Sequence, residues 1–305
     1  MTDSAFPPVL LNDLTLIQVS GTDARDFLQA QLTQDVQRCT ADQAVLAAYC
    51  SPRGRVLATL VLIQARTGPE SPLWLLLKSD IADAVIQRLR MFVLRARVSL
   101  ERLDMPISGH RNGSGPEASL QVQRQAGRLL VRAPGEPVRH WVPGDDSARP
   151  DAAALARWQA DDIRAGFPWL EAETRDVFIP QTLNLDLIDG LSFTKGCYPG
   201  QEVVARSHYR GSVKRRMAYV HAAIASDAVP AVRAGDDLFD AGTERPAGRI
   251  INVAADDEGL HLLAEVMLSD VLPAGPAGLA GVDLRLESPQ GTPVTPDPKS
   301  LALVS

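Results

Sequence analysis

Two apolar runs, 45-VLAAYC-50 and 55-RVLATLVLI-63, are separated by Ser51-Pro52-Arg53-Gly54. A four-residue link containing Pro and Gly makes a reverse turn, and short apolar runs bounded by a turn read as strands. The pair predicts a β-hairpin, so its neighbours must build a sheet around it. Upstream, residues 15–20 alternate apolar and polar, as a half-buried strand does, and Gly21 breaks the pattern. Thr22 is placed to cap a helix reaching Asp35, with Ala24, Leu28 and Leu32 on one face. Downstream, Leu73–Lys78 reads as a strand. Asp80 then caps a helix aligning Ile81, Val85 and Leu89, and 98–103 forms a further strand. This order predicts an α+β unit, with helices on one face of a mostly antiparallel sheet.

Residues 106–117 (PISGHRNGSGPE) are rich in Gly, Pro and Ser and read as a loop. Residues 120–132 read as a hairpin around Gln125-Ala126-Gly127, and 143–150 as a polar connection. A helix is predicted from Asp151 to Ala165, with Gly166 at its C′ position and Pro168 barring continuation. From Ala218 onward, short strands (218–223, 248–253 and 260–266) are separated by Gly, Pro and Asp, which predicts a small antiparallel barrel. The tail after Ser288, rich in Pro, Thr and Ser, reads as irregular. The chain thus divides into a first α+β region (1–105), a second (106–216) that can interleave with it, and a C-terminal β-barrel (217–305).

At 305 residues the chain exceeds one small core, and its formal net charge of −6 opposes non-specific DNA binding. The N-terminal stretch lacks a basic segment followed by a long apolar run, and no membrane-spanning run occurs. Cys39, Cys50 and Cys197 are odd in number and scattered, which fits a reducing compartment rather than a disulfide framework. A cytoplasmic protein is expected. There is no CxxC or HExxH, and no GxGxxG after a strand, so neither a compact metal site nor a nicotinamide or flavin cofactor is expected.

The chemistry concentrates in 194-TKGCYPGQEVVAR-206. Tyr198-Pro199-Gly200-Gln201 fits a type II turn, and Gly196 frees the backbone before Cys197. Both features present the thiol on a rim, and Lys195 nearby favours a thiolate. Gln201 and Glu202 open a short helix and offer amide and carboxylate groups suited to a heterocycle, while Arg206 can pair with a carboxylate. The residues alone leave two readings: a reactive thiol beside polar binding groups, or an inert buried cysteine.

The run KGCY-x-GQE, with YRG and KR after it, resembles the signature of the YgfZ family of folate-binding proteins, which are related to the aminomethyltransferase of the glycine cleavage system. The resemblance extends over 21-GTDARDFLQAQLTQDV-36, 46-LAAYCSPRGRVLA-58 and 163-IRAGFPWLEAETRDVFIPQTLNLDLIDGLSFTKGCY-198. It implies three domains in a ring, with tetrahydrofolate or a related reduced folate bound toward the centre. It also implies a role in assembling or maintaining iron–sulfur enzymes, including those that modify tRNA. Cys197 matches the cysteine on which that role depends, with Lys195 beside it. Tyr198, Gln201 and Glu202 match the signature, and Trp158 matches a folate-contacting tryptophan. A second such tryptophan is replaced by Leu14, which removes a stacking face. The implied partners are a reduced folate and iron–sulfur client or assembly proteins, without direct DNA or membrane binding. The alternative is a folate-dependent aminomethyl or one-carbon transferase, which needs no thiol. A scaffold that binds folate without chemistry is a third reading.

His208 follows Cys197 closely enough to raise a Cys–His pair, but no oxyanion motif accompanies it. His110, His140, His221 and His261 show no ligand spacing and read as surface or packing residues. The basic run 206-RSHYRGSVKRR-216 reads either as a solvated connector or as an electropositive wall for a folate's glutamate tail or an anionic partner.

Overall fold

A computed structural model describes residues 7–68, 70–111, 115–211, 213–224, 229–243, 245–268 and 283–297. The first part runs β1 (Val9–Leu10), β2 (Leu14–Ser20), α1 (Ala24–Gln29), β3 (Val45–Cys50), β4 (Val56–Gln64), β5 (Leu73–Lys78), α2 (Ala82–Arg90) and β6 (Ser99–Leu103). Next come β7 (Ile107–Arg111), β8 (Val122–Gln125), β9 (Arg128–Ala133), β10 (Arg139–Pro143), α3 (Ala152–Arg164) and α4 (Gln201–Arg210). The last part is β11 (Arg215–Ala222), β12 (Asp237–Asp240), β13 (Pro246–Asp256), β14 (Gly259–Met267), β15 (Leu284–Leu286) and β16 (Pro293–Pro296).

These strands form two antiparallel five-stranded sheets and a closed barrel. The first sheet has the order β3-β4-β5-β2-β6, and the second β1-β7-β10-β9-β8. β1 reaches out of the first part of the chain to pair with β7. β3 and β4 are buried along their whole length, which is why the hairpin reads as continuous apolar runs. The barrel closes in the order β11-β14-β13-β12-β15-β16, leaving no free edge. Its interior, lined by Val220, Leu238, Leu262 and Leu286, is a separate apolar cluster from that of the two sheets. α3 lies across β13 and β14 and joins the second sheet to the barrel. Its ends follow the local signals: Asp151 accepts from the Ala154 N–H at 2.9 Å, and Gly166 takes φ +65°.

Four expectations are corrected. The helix from Thr22 toward Asp35 spans only Ala24–Gln29, with Asp23 at its N-cap. It ends because Leu32 bridges to Tyr49 and the Thr33 N–H donates to the Ala48 carbonyl, so this stretch joins the hairpin. Asp80 does not cap α2; its Oδ2 accepts from the Ala172 N–H at 2.8 Å. The stretch read as a loop at 106–117 contains β7, whose Gly109 lies in a strand because Trp158 packs on it: a Cβ there would stand 2.6 Å from the indole. The tail after Ser288 contributes β16, while residues 298–305 lie outside the described ones.

Candidate functional site

Of the three cysteines, Cys39 and Cys50 are buried and Cys197 is exposed. Cys39 Sγ donates to the Leu62 carbonyl at 3.5 Å, and burial pushes its thiol up to about 12. Burial pushes Cys50 up as well. Both belong to the inert class of buried thiols.

The loop carrying Cys197 is fastened on both sides. Before it, the Phe193 ring stacks on His208 of α4, with centroids 3.9 Å apart and planes 15° from parallel. His208 is thus a packing partner of the loop. Lys195 Nζ donates to the carbonyls of Gln29 and Leu32, each at 2.6 Å, and of Gln34 at 3.2 Å. These oxygens lie at and beyond the C-terminal end of α1, where unpaired carbonyls attract a cation. Burial pulls the Lys195 pKa down to about 8, with Asp35 acting against it, and the three carbonyls hold the ammonium form in place. All three N–H donors are used, so none remains to hydrogen-bond a thiolate: Lys195 anchors the loop. The ammonium also stands 5.5 Å from the centroid of the buried Tyr198 ring.

After Cys197, the turn forms as the sequence reading expects. The Gln201 N–H donates to the Tyr198 carbonyl at 3.2 Å, and Gly200 takes φ 81°, ψ 0°. Gly200 is pressed against the turn of the β3–β4 hairpin. A Cβ on it would stand 2.5 Å from the Ser51 carbonyl oxygen and 2.7 Å from Gly54 Cα. The two turns therefore meet backbone to backbone. Over Gly196, by contrast, an added Cβ meets nothing within 4 Å. The result is a fixed, open platform for one thiol.

The other expected site residues divide. Gln201 is half-buried at the start of α4. Glu202 and Arg206 are exposed and face each other at 3.8 Å, a contact worth little in water. Trp158, which the resemblance matches to a folate-contacting tryptophan, lies in the core instead. It is 1% exposed, packed between Gly109 and the Arg139 guanidinium, which stands 4.8 Å from its ring centroid.

Where the first sheet, α3 and the barrel meet lies a cavity of about 40 Å³, lined by Lys78, Gln159, Asp162, Trp169, Glu171 and Asn252, among others. Its polar groups are tightly engaged. Lys78 Nζ meets Asp13 Oδ2 at 2.8 Å and Glu171 Oε1 at 3.1 Å, and Gln159 Nε2 donates to the same Asp13 oxygen at 2.9 Å. Burial would lower the Lys78 pKa, but the two carboxylates overcome it and push it up to about 12. Asp162 accepts from Arg139 Nη1 at 2.7 Å and from Trp169 Nε1 at 2.9 Å. Burial pushes the Asp162 carboxyl up, against those two donors that hold its anion. Asp13 Oδ1 is buried without a hydrogen-bond partner. Sequence reasoning missed this junction; its one signal was a lysine ending the apolar strand 73-LWLLLK-78. A larger cleft, about 460 Å³, opens beside Leu14, Arg102 and Met105.

No family model matches the chain. A protein of Haemophilus influenzae, named only as uncharacterized, is 36% identical over 214 residues, covering 68% of this chain and 71% of that one. The tRNA-modifying protein YgfZ of Edwardsiella ictaluri is 33% identical over 294 residues, covering 87% of this chain and 85% of its own length. The chain belongs to the YgfZ family. Among solved structures, the glycine cleavage system aminomethyltransferase T of Bartonella henselae matches with a TM-score of 0.67 at 14% identity, over 96% of this chain and 85% of that one. The YgfZ-family chain therefore shares that fold: antiparallel α+β sheets with a C-terminal barrel. Among the described residues no group of three or more His, Cys, Asp or Glu is arranged to hold a metal, and no helix is long and apolar enough to cross a membrane.

Proposed function

We propose that the protein binds a reduced folate, tetrahydrofolate or a close relative, and uses the thiol of Cys197 to support iron–sulfur enzymes, those that modify tRNA among them. The observation that carries this reading is the contrast among the cysteines: Cys197 alone is exposed, on a loop tied down at Lys195 and Gly200. A thiol kept only for packing needs no such platform. Membership of a family with a tRNA-modifying relative supports the client class.

For the folate, chemistry and volume point to different places. Lys78, Gln159, Glu171 and Asn252 are of the donor and acceptor types that a pterin edge requires, but they are engaged with protein partners, and a cavity of about 40 Å³ is far below the several hundred that a ligand of this size needs. The junction as it stands does not fit the group and must widen to admit it. A second reading, aminomethyl one-carbon transfer, rests on the likeness in fold to aminomethyltransferase T.

The test is complementation in cells lacking the native protein, at matched protein levels. Cys197→Ser is expected to fold and to bind tetrahydrofolate by calorimetry, yet fail to restore iron–sulfur enzyme activity; Cys39→Ser and Cys50→Ser restore it. Full restoration by Cys197→Ser overturns the thiol role. Formation of methylenetetrahydrofolate from an amine donor would favour the transferase.

A further inference from the structure

A second cleft, about 400 Å³, lies along the seam between the two sheets, away from both the cysteine loop and the junction. One wall is Trp74 at the start of β5, and Met105 and Leu129 add apolar surface. Arg66, Arg124 and Arg128 also line it, and no described lining residue is acidic. Trp74 is held: its Nε1–H donates to Gln18 Oε1 at 3.3 Å. The other tryptophans, Trp141, Trp158 and Trp169, are buried, so Trp74 is the one of four whose ring is partly open.

The guanidiniums are not there merely to neutralise acids. Only Arg128 has a carboxylate partner among the described residues, Asp145 at 3.7 Å, and that carboxylate is already held by His110 at 2.6 Å and Ser147 at 2.9 Å. Arg124 is fixed by backbone, donating to the Ala41 carbonyl and, at 2.6 Å, to the Gln64 carbonyl, which leaves its charge uncompensated. Like charges gathered on one cleft repel in the free protein, and a bound anion relieves that repulsion. An aromatic face beside cations, one of them fixed, is the arrangement that holds a base and its phosphate together.

We infer that this cleft binds a nucleoside phosphate, its base against Trp74 and its phosphate among Arg66, Arg124 and Arg128. Free nucleotide and one unit of an RNA strand share that chemistry. The full-length protein is titrated with AMP, with adenosine and with a short oligoadenylate, followed by tryptophan fluorescence and by calorimetry. AMP is expected to bind saturably and quench the Trp74 emission, and adenosine to bind at least about tenfold more weakly for want of phosphate. The exposed pair Arg66→Ala/Arg128→Ala should weaken AMP by a similar factor while leaving the circular dichroism spectrum unchanged. Trp74→Phe should abolish the quenching while calorimetry still detects AMP. Tighter binding of the oligoadenylate assigns the site to an RNA strand; equal binding assigns it to free nucleotide. No saturable AMP binding at millimolar concentration, AMP binding indifferent to the double substitution, or displacement of AMP by equimolar tetrahydrofolate would each overturn a separate nucleotide site.

Discussion

The cysteine loop and the three-way junction each hold a lysine, and they hold it in opposite ways. Lys195 is surrounded by backbone carbonyls and its pKa falls to about 8; Lys78 lies between two carboxylates and its pKa rises to about 12. Carbonyl dipoles fix where an ammonium sits without cancelling its charge, whereas carboxylates do both. The loop is thus built for position, with its thiol left open. The junction is built for charge pairing, with little space left inside it.

The largest break in this comparison should come from the junction. Asp162→Ala takes from the fully buried Arg139 the carboxylate that accepts its Nη1–H and from Trp169 the acceptor of its Nε1–H, although Asp161 remains 3.8 Å from Arg139 and the Trp158 and Pro134 carbonyls still accept from it. The expected loss is about 3–5 kcal/mol in chemical denaturation. On the loop, Gly200→Ala combines left-handed backbone with a collision against Ser51 and Gly54, and should cost about 2–4 kcal/mol. A loss below about 1 kcal/mol would show that the two turns separate readily.

The lysines sharpen the contrast through pH. The folded-state pKa of Lys78 is raised from 10.5 to about 12, so its stabilisation, about 2 kcal/mol, is fully present below pH 10.5 and disappears as pH rises through 12. The gap in stability between wild type and Lys78→Met should close over that window. For Lys195 the sign reverses. Its folded-state pKa lies below 10.5, so its charge costs stability below about pH 8, and the cost is relieved as pH rises to 10.5. Wild type should gain on Lys195→Met between those values. At neutral pH, Lys195→Met strands three carbonyls that water can partly reach, for a loss of about 1–2 kcal/mol. Equal pH trends for the two variants would erase the distinction.

How far the sequence reveals these regions depends on where each signal comes from. The β3–β4 hairpin, β5 and α3 are legible because runs of apolar residues, a turn and two caps specify them locally. The type II turn after Cys197 is legible for the same reason. β7 is not, because one of its partners, β1, comes from the far N-terminal end of the chain and Gly109 looks like a loop residue until Trp158 is seen lying on it. Lys195 is visible as a neighbour of the cysteine in sequence, but its three acceptors lie more than 160 residues away, so its role as an anchor is a property of the fold alone. The junction is hidden for a similar reason: Asp13, Lys78, Gln159, Glu171 and Asn252 share no motif and converge only in three dimensions.

The fold seals two thiols and presents the third on a fixed platform. Alkylation of the native protein with iodoacetamide, resolved by mass spectrometry at each cysteine, tests it most directly. Cys197 should be labelled at least about a hundredfold faster than Cys39 or Cys50, because those two react only through openings that cost several kcal/mol, and denaturant should remove most of the difference. Labelling of Cys39 or Cys50 at a rate comparable to Cys197 in the native state, or protection of Cys197 until the chain unfolds, would contradict the account.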